Sequence, residues 1–126
     1  MDAADQGSPP PQASVTPSPS ELLRGSVWNV RSLDTDDPKP VVIVSNDGRN
    51  RSRFGWVHVV RITSRPKGPL PTIVELTEGD APLTGRAMVD ELELVHKADL
   101  EERRGMLALP TMREIDAVLR RVLALG

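Results

Sequence analysis

Short apolar runs of period two, each closed by a turn signal, fill the middle of this chain, and the period changes only near its end. Residues Ser26 to Ser32 place Trp28 and Val30 on one face. The run Val41 to Asn46 is apolar on both faces, as in a central strand, and Trp56 to Thr63 reads the same way. Three shorter runs follow, at Thr72–Thr77, Arg86–Glu91 and Leu92–Val95. Between them lie Asp37-Pro38, Asp47-Gly48, Pro66 with Gly68-Pro69, Glu78-Gly79-Asp80 and Thr84-Gly85. Several short strands at this spacing predict a mainly β fold, a small barrel or a strongly twisted sheet. Then Met112, Ile115, Val118, Leu119, Val122 and Leu123 recur three or four apart, one apolar stripe of a helix. Thr111 and Glu114 have the spacing of a capping box. The reading is a helix over 112–124 that covers an open end or face of the sheet, with a shorter helical turn near Asp99–Arg104.

Residues 1–20 are of another kind. They hold five of the 12 prolines, and Val15 is their one large aliphatic residue. Such a segment buries too little apolar surface to offset its ordering entropy, so a disordered tail is expected there and one folded domain over 21–126. A functional tail and a mere extension are both open. The acidic start, Met1 to Asp5, lacks the apolar stretch of a signal peptide, and no run is long enough to span a bilayer. Residues 21–74 carry nine basic and five acidic side chains, whereas 75–126 carry seven and 11. The near-zero total can therefore conceal a basic face.

Chemistry is narrowed chiefly by absences. There is no Cys, which excludes disulfides, zinc–thiolate sites and thiol nucleophiles. The two histidines, His58 and His96, are far apart in sequence, too few for a three-histidine metal site. His58 reads as a packed side chain in a strand and His96 as an exposed one. Phosphate-binding and dinucleotide-binding glycine patterns, H-E-x-x-H and G-x-S-x-G are all missing. What remains is polar residues at strand ends, the usual location of sites on a rigid scaffold. Lys39 precedes one strand. Arg61, Thr63, Ser64, Arg65 and Lys67 mark the end of the next, and Asp90 ends a later one. Arg49, Arg51 and Arg53, bordered by Phe54 and Trp56, have the composition of a phosphate clamp with a stacking surface, or of a solvated loop.

Five segments in order resemble one family. Arg24-Gly25-Ser26-Val27-Trp28 is similar to the opening strand of the MazF/PemK/Kid toxins. Lys39-Pro40-Val41-Val42-Ile43-Val44-Ser45-Asn46 resembles their second strand. Thr63-Ser64-Arg65 resembles the end of their next strand, and Pro71-Thr72 and Val89-Asp90 resemble two later segments, the P-T/P-F pair and the stretch that ends in Asp-Gln. The resemblance spans roughly 22–126 and implies an SH3-like or CcdB-like small barrel with a C-terminal helix. It further implies a homodimeric, cytoplasmic toxin of a type II toxin–antitoxin pair, held in check by an acidic antitoxin segment.

The activity so implied is sequence-selective cleavage of single-stranded RNA without metal or cofactor. RNA brings its own nucleophile, the 2′-hydroxyl, so the missing Cys and the scarce His are no obstacle. Carried over by position, the catalytic residues are Lys39, Thr63 and Asp90. Arg49, Arg51, Arg53, Ser64 and Arg65 are expected RNA contacts. Lys39 stands where the family has Arg, and a Lys cannot make a bidentate fork to phosphate. Glu91 follows Asp90 where the family has Gln, and strand alternation points it away from the face of Asp90. Leu33–Pro40 is expected to form a gate over the groove. Two alternatives are a CcdB-like protein that poisons gyrase by binding and a degenerate toxin that only binds antitoxin or RNA. Against the former, CcdB-type binding goes with a terminal Trp-Gly-Ile, and this chain reads Ala124-Leu125-Gly126.

Overall fold

The computed structural model describes Ser18, residues 21–31, 39–66, Gly68 and 70–125. The expected tail at 1–20, except Ser18 itself, falls outside them, as does most of the expected gate, residues 32–38. Six strands form one antiparallel sheet: β1 (Ser26–Val30), β2 (Lys39–Ile43), β3 (Trp56–Thr63), β4 (Ile73–Glu75), β5 (Arg86–His96) and β6 (Leu100–Met106). Their order is β4-β5-β3-β2-β1-β6. A five-residue helix, α1 (Asp47–Arg51), joins β2 to β3, and α2 (Leu109–Val122) follows β6. The mainly β architecture with a C-terminal helix is the one expected.

Strand alternation divides the core in two. Val27, Val42 and Val60 lie in one row across β1, β2 and β3. They join Ile62, Val74, Ala87 and Val89 beneath Met112, Ile115 and Val118 of α2. One cluster thus draws on five strands, so the sheet curls around it and the helix closes it. Trp28, Val41, Ile43, Val57 and Val59 point to the opposite face and pack with Leu22 and Leu100. Ile43, Val57, Val59 and Ile115 are fully buried; each such side chain contributes about 1.5–3 kcal/mol relative to exposure.

Three local readings need correction. The runs Arg86–Glu91 and Leu92–Val95 are one strand, β5, interrupted by a bulge: Val60 pairs Leu92, but Arg61 pairs Met88. Of the helical turn expected near 99–104 only Asp99 is helical, closing the 3-10 turn Lys97–Asp99, and the rest is β6. It pairs with β1 at the sheet edge, where its charged residues Glu101 to Arg104 are solvated and discourage further pairing. The capping box at Thr111 and Glu114 does not form. Helix α2 starts earlier, capped at Ala108, with Pro110 in its first turn, where a missing N–H is harmless. The Thr111 hydroxyl instead donates to the Asp80 carboxylate at 2.7 Å. Asp80 also accepts the Ala108 N–H at 2.8 Å and the Thr77 N–H at 2.8 Å. A real capping box, Thr77 with Asp80, therefore sits on the 3-10 turn Glu78–Asp80 and pins that turn to the helix.

Candidate active site

Pairing register sets which polar side chains meet. Val41 pairs Arg61 and Val42 pairs Val60. Continuing that register by two residues sets Lys39 opposite Thr63, at the end of both strands. On the other flank Val30 pairs Lys39. Lys39, Arg61 and Thr63 therefore share the sheet face that carries Val41 and Val59, just beyond where that core cluster ends. Directly opposed residues lie about 5 Å apart at Cβ and diagonal ones about 7–8 Å, within reach of long side chains. The three residues line one groove of about 570 Å³, together with Pro40, Ser64, Arg65, Thr84, Met88 and Glu91.

The end of β3 is held from behind. The Thr63 Oγ1 accepts the Arg65 N–H at 3.2 Å, which folds the chain back at Ser64. Across the strand, Thr63 pairs Arg86. The Arg86 Nη1 donates to the Arg65 carbonyl at 2.8 Å and the Ser64 carbonyl at 3.3 Å, while its Nε donates to Glu75 at 2.9 Å. Gly85 lies against the same place with φ of +111°, and a Cβ there would stand 2.5 Å from the Thr63 carbonyl oxygen. Close backbone approach and a left-handed conformation both demand glycine at this position.

The β5 bulge decides which carboxylate enters the groove. In an unbroken register Arg61 would oppose position 91; the slip to Met88 leaves Val89, Asp90 and Glu91 without partners on β3. Val89 turns into the core, Asp90 is exposed outside the groove lining, and Glu91 lies in it. Glu91 approaches Arg61 at 3.8 Å, with both side chains about 40% exposed. So Lys39, Thr63, Ser64 and Arg65 come together as expected from their positions, while Asp90 does not. Arg61 is marked by the sequence only as a polar residue near the strand end, and Glu91 is not marked as a groove residue at all. Period-two spacing from Thr63 was the available signal for Arg61, but no spacing rule predicts the bulge that brings in Glu91.

The arginine cluster is also separated from this groove. Arg49 and Arg51 lie on α1 and Arg53 on the loop after it, at the far end of β2 and β3 from Lys39 and Thr63. Asn46 caps this short helix by accepting the Arg49 N–H at 2.8 Å, and buried Asn50 donates to the Ser45 carbonyl at 2.9 Å. The Arg49 guanidinium stacks on Phe54, 4.2 Å from its ring centroid, so that aromatic face is already covered. Beneath lies Lys97, whose buried ammonium donates to the Ser52 carbonyl at 2.8 Å. Burial, and then the charge of Arg49, lower its pKa. Trp56 meets His96 edge to face, and the His96 Nδ1 accepts the Ala98 N–H. Arg51 and Arg53 are exposed. Among the described residues no three His, Asp or Glu side chains are grouped to hold a metal, and no helix is long and apolar enough to cross a membrane.

An antiparallel sheet curled around a helix-capped core, with a cationic, hydroxyl-bearing groove at the strand ends, defines a class of small polar-groove barrels. The chain belongs to the PemK-like, MazF-like toxin family of type II toxin–antitoxin systems, whose profile it matches over residues 23–123. It is 37% identical over 87 residues to endoribonuclease MazF1 of Mycobacterium bovis, a match covering 69% of this chain and 80% of that protein. A mycobacterial endoribonuclease solved in complex with its cognate antitoxin superposes with a TM-score of 0.74 at 36% identity, covering 82% of this chain and 96% of that one. MazF from the MazE–MazF crystals of Deinococcus radiodurans shares the fold at 18% identity, with a TM-score of 0.70 over 88% of this chain and 99% of that one.

Proposed function

We propose that this chain is a cytoplasmic endoribonuclease toxin that cleaves single-stranded RNA at a short sequence motif, without a metal ion, and is neutralised by a cognate antitoxin. Membership of the toxin family supports the class of protein, and the endoribonuclease names of its mycobacterial relatives support the activity. The carrying observation is one groove lined by both Lys39 and Thr63, at adjoining strand ends. The antitoxin-bound relative supports a protein partner of this kind, and a homodimer is part of the reading.

The proposed step is internal transphosphorylation. The ribose 2′-oxygen bonds to phosphorus while the bond from phosphorus to the 5′-oxygen breaks. Glu91, the carboxylate lining the groove, accepts the 2′ proton. Lys39 stabilises the growing negative charge and gives a proton to the departing 5′-oxygen, and the Thr63 hydroxyl donates to a non-bridging oxygen. Asp90, outside the groove lining, has no part in this scheme. Ser64 and Arg65 flank the reacting phosphate, and Arg51 and Arg53 are left to contact RNA beyond the groove.

Purified protein incubated with single-stranded RNA in EDTA is expected to leave 2′,3′-cyclic phosphate and 5′-hydroxyl ends. Cleavage that depends on Mg²⁺, or that leaves 5′-phosphates, would refute the scheme. Absence of cleavage by protein freed of antitoxin would point to a toxin that acts by binding alone.

A further inference from the structure

We propose that Arg61 is a catalytic ligand of the scissile phosphate, and that Glu91 is its resting partner, displaced when RNA enters. The inference rests on the endoribonuclease reading and adds to it a role for Arg61, which the sequence marks only as a polar residue near a strand end.

The argument begins with charge. Attack by the 2′-oxygen places additional negative charge on the non-bridging phosphate oxygens, and Lys39 offers them a single compact ammonium. A guanidinium offers two parallel N–H donors, matching two oxygens of one phosphate. Two arginines line the groove. Arg65 lies past the strand end and is exposed. Arg61 stands on β3, two residues before Thr63 and hence on its face, across from Val41 and diagonal to Lys39. Its base is held in a strand flanked on both sides, opposite Val41 of β2 and Met88 of β5. Such a placement preorganises the cation where Thr63 and Lys39 converge.

The resting partner fits the same role. Among the described residues Arg61 forms one ion pair, with Glu91. That pair is long, at 3.8 Å, and about 40% exposed on each side, so water and salt weaken it. A phosphodiester can therefore replace the carboxylate on Arg61 at small cost. The exchange frees Glu91 at the moment when the proposed reaction needs a proton acceptor. Without a counter-ion, the closely set Lys39, Arg61 and Arg65 would repel one another in the empty groove. Glu91 also competes with RNA, so it is expected to hold down the affinity of the resting protein.

The test uses the full chain and two substrates: an RNA that the wild type cuts, and its uncleavable 2′-O-methyl copy. Arg61→Ala is expected to weaken binding of the uncleavable copy at least tenfold. It should also flatten the dependence of log affinity on log salt by about 0.7, the loss of one phosphate contact on a single strand. Arg61→Lys should keep the salt slope yet recover less than half of the cleavage rate. Glu91→Gln should tighten binding severalfold in the wild type and have no such effect in an Arg61→Ala background. A purely structural Arg61 would not move the salt slope or cancel the Glu91 effect. Wild-type affinity and slope in Arg61→Ala, with cleavage by the wild type intact, overturn this inference and leave the endoribonuclease reading standing. A wild type that neither cuts nor binds RNA overturns both. Circular dichroism of each variant separates misfolding from lost contact, and Arg61→Lys serves as the folded comparison should the alanine variant unfold.

Discussion

Replacing Gly85 by Ala tests the link between backbone geometry and the groove. Two costs can be worked from the structure. The first is conformational: φ at Gly85 is +111°, outside the small left-handed region that other residues tolerate. Holding an L-residue there costs about 1–3 kcal/mol. The second is steric. The new Cβ would stand 2.5 Å from the Thr63 carbonyl oxygen and 3.1 Å from its carbonyl carbon. Carbon and oxygen normally approach no closer than about 3.3 Å, so one backbone must give way by roughly 0.8 Å. Such overpacking costs a further ~1–3 kcal/mol. Together the variant should lose about 2–6 kcal/mol, a large share of the 5–15 kcal/mol typical of a domain.

Thermal unfolding is the first assay. At about 4–8 °C per kcal/mol for a domain of this size, the midpoint should fall by at least about 8 °C. Activity is the second, measured well below that midpoint, where the variant is folded. A displacement approaching 1 Å at Thr63 should lower kcat/KM on the order of 10²-fold, because reacting groups lose alignment. Gly68→Ala is the control. Its Cβ meets nothing within 4 Å, so it should leave both readouts unchanged. A Gly85→Ala variant that melts within about 3 °C of the wild type would refute the strain argument. One that melts early yet cleaves at the wild-type rate would refute the claim that this contact positions Thr63.

Two further outcomes follow from single side chains. Thr63→Ala should lower cleavage at least about tenfold while the half-exposed site keeps its fold; unchanged activity would remove Thr63 from the proposed mechanism. Asp80→Asn should cost about 2–4 kcal/mol at neutral pH, because the Thr77 and Ala108 N–H groups and the Thr111 hydroxyl all donate to the two carboxylate oxygens, and the amide turns one of those oxygens into an NH₂ that cannot receive its donors. Burial alone would raise the Asp80 pKa, but those hydrogen bonds outweigh it and hold the carboxyl below its ordinary value of 3.8. A depressed native pKa stabilises the fold above the unfolded value and loses that contribution as pH falls through the native one. The difference in melting temperature between wild type and Asp80→Asn should therefore shrink below about pH 4; a constant gap would show that charge is not what Asp80 contributes.

Period two made β1, β2 and β3 legible because their alternating or doubly apolar faces are buried on this single chain. It failed for β6, whose run Leu100–Met106 carries four charged residues in succession at a sheet edge. There the hydrogen bonds to β1, which leave no trace in hydropathy, decide the conformation. The same limit governs the groove. Lys39 and Thr63 were brought together by the family resemblance, and the regular register of β2 and β3 then sets these strand ends side by side. Glu91 could not be placed from the sequence, since the three residues bulged out of β5 interrupt the alternation that would assign its face. Thr111 shows a related failure: its spacing to Glu114 satisfies the local capping pattern, yet Asp80, 31 residues earlier, takes its hydroxyl. Wherever a buried carboxylate or a bulge competes with a local pattern, the tertiary contact prevails, because leaving such a group unsatisfied costs more than any local preference supplies. For the groove this means that the carboxylate facing the cations was chosen by the bulge in β5, so restoring a regular register there should do more to disarm the site than altering Asp90 itself.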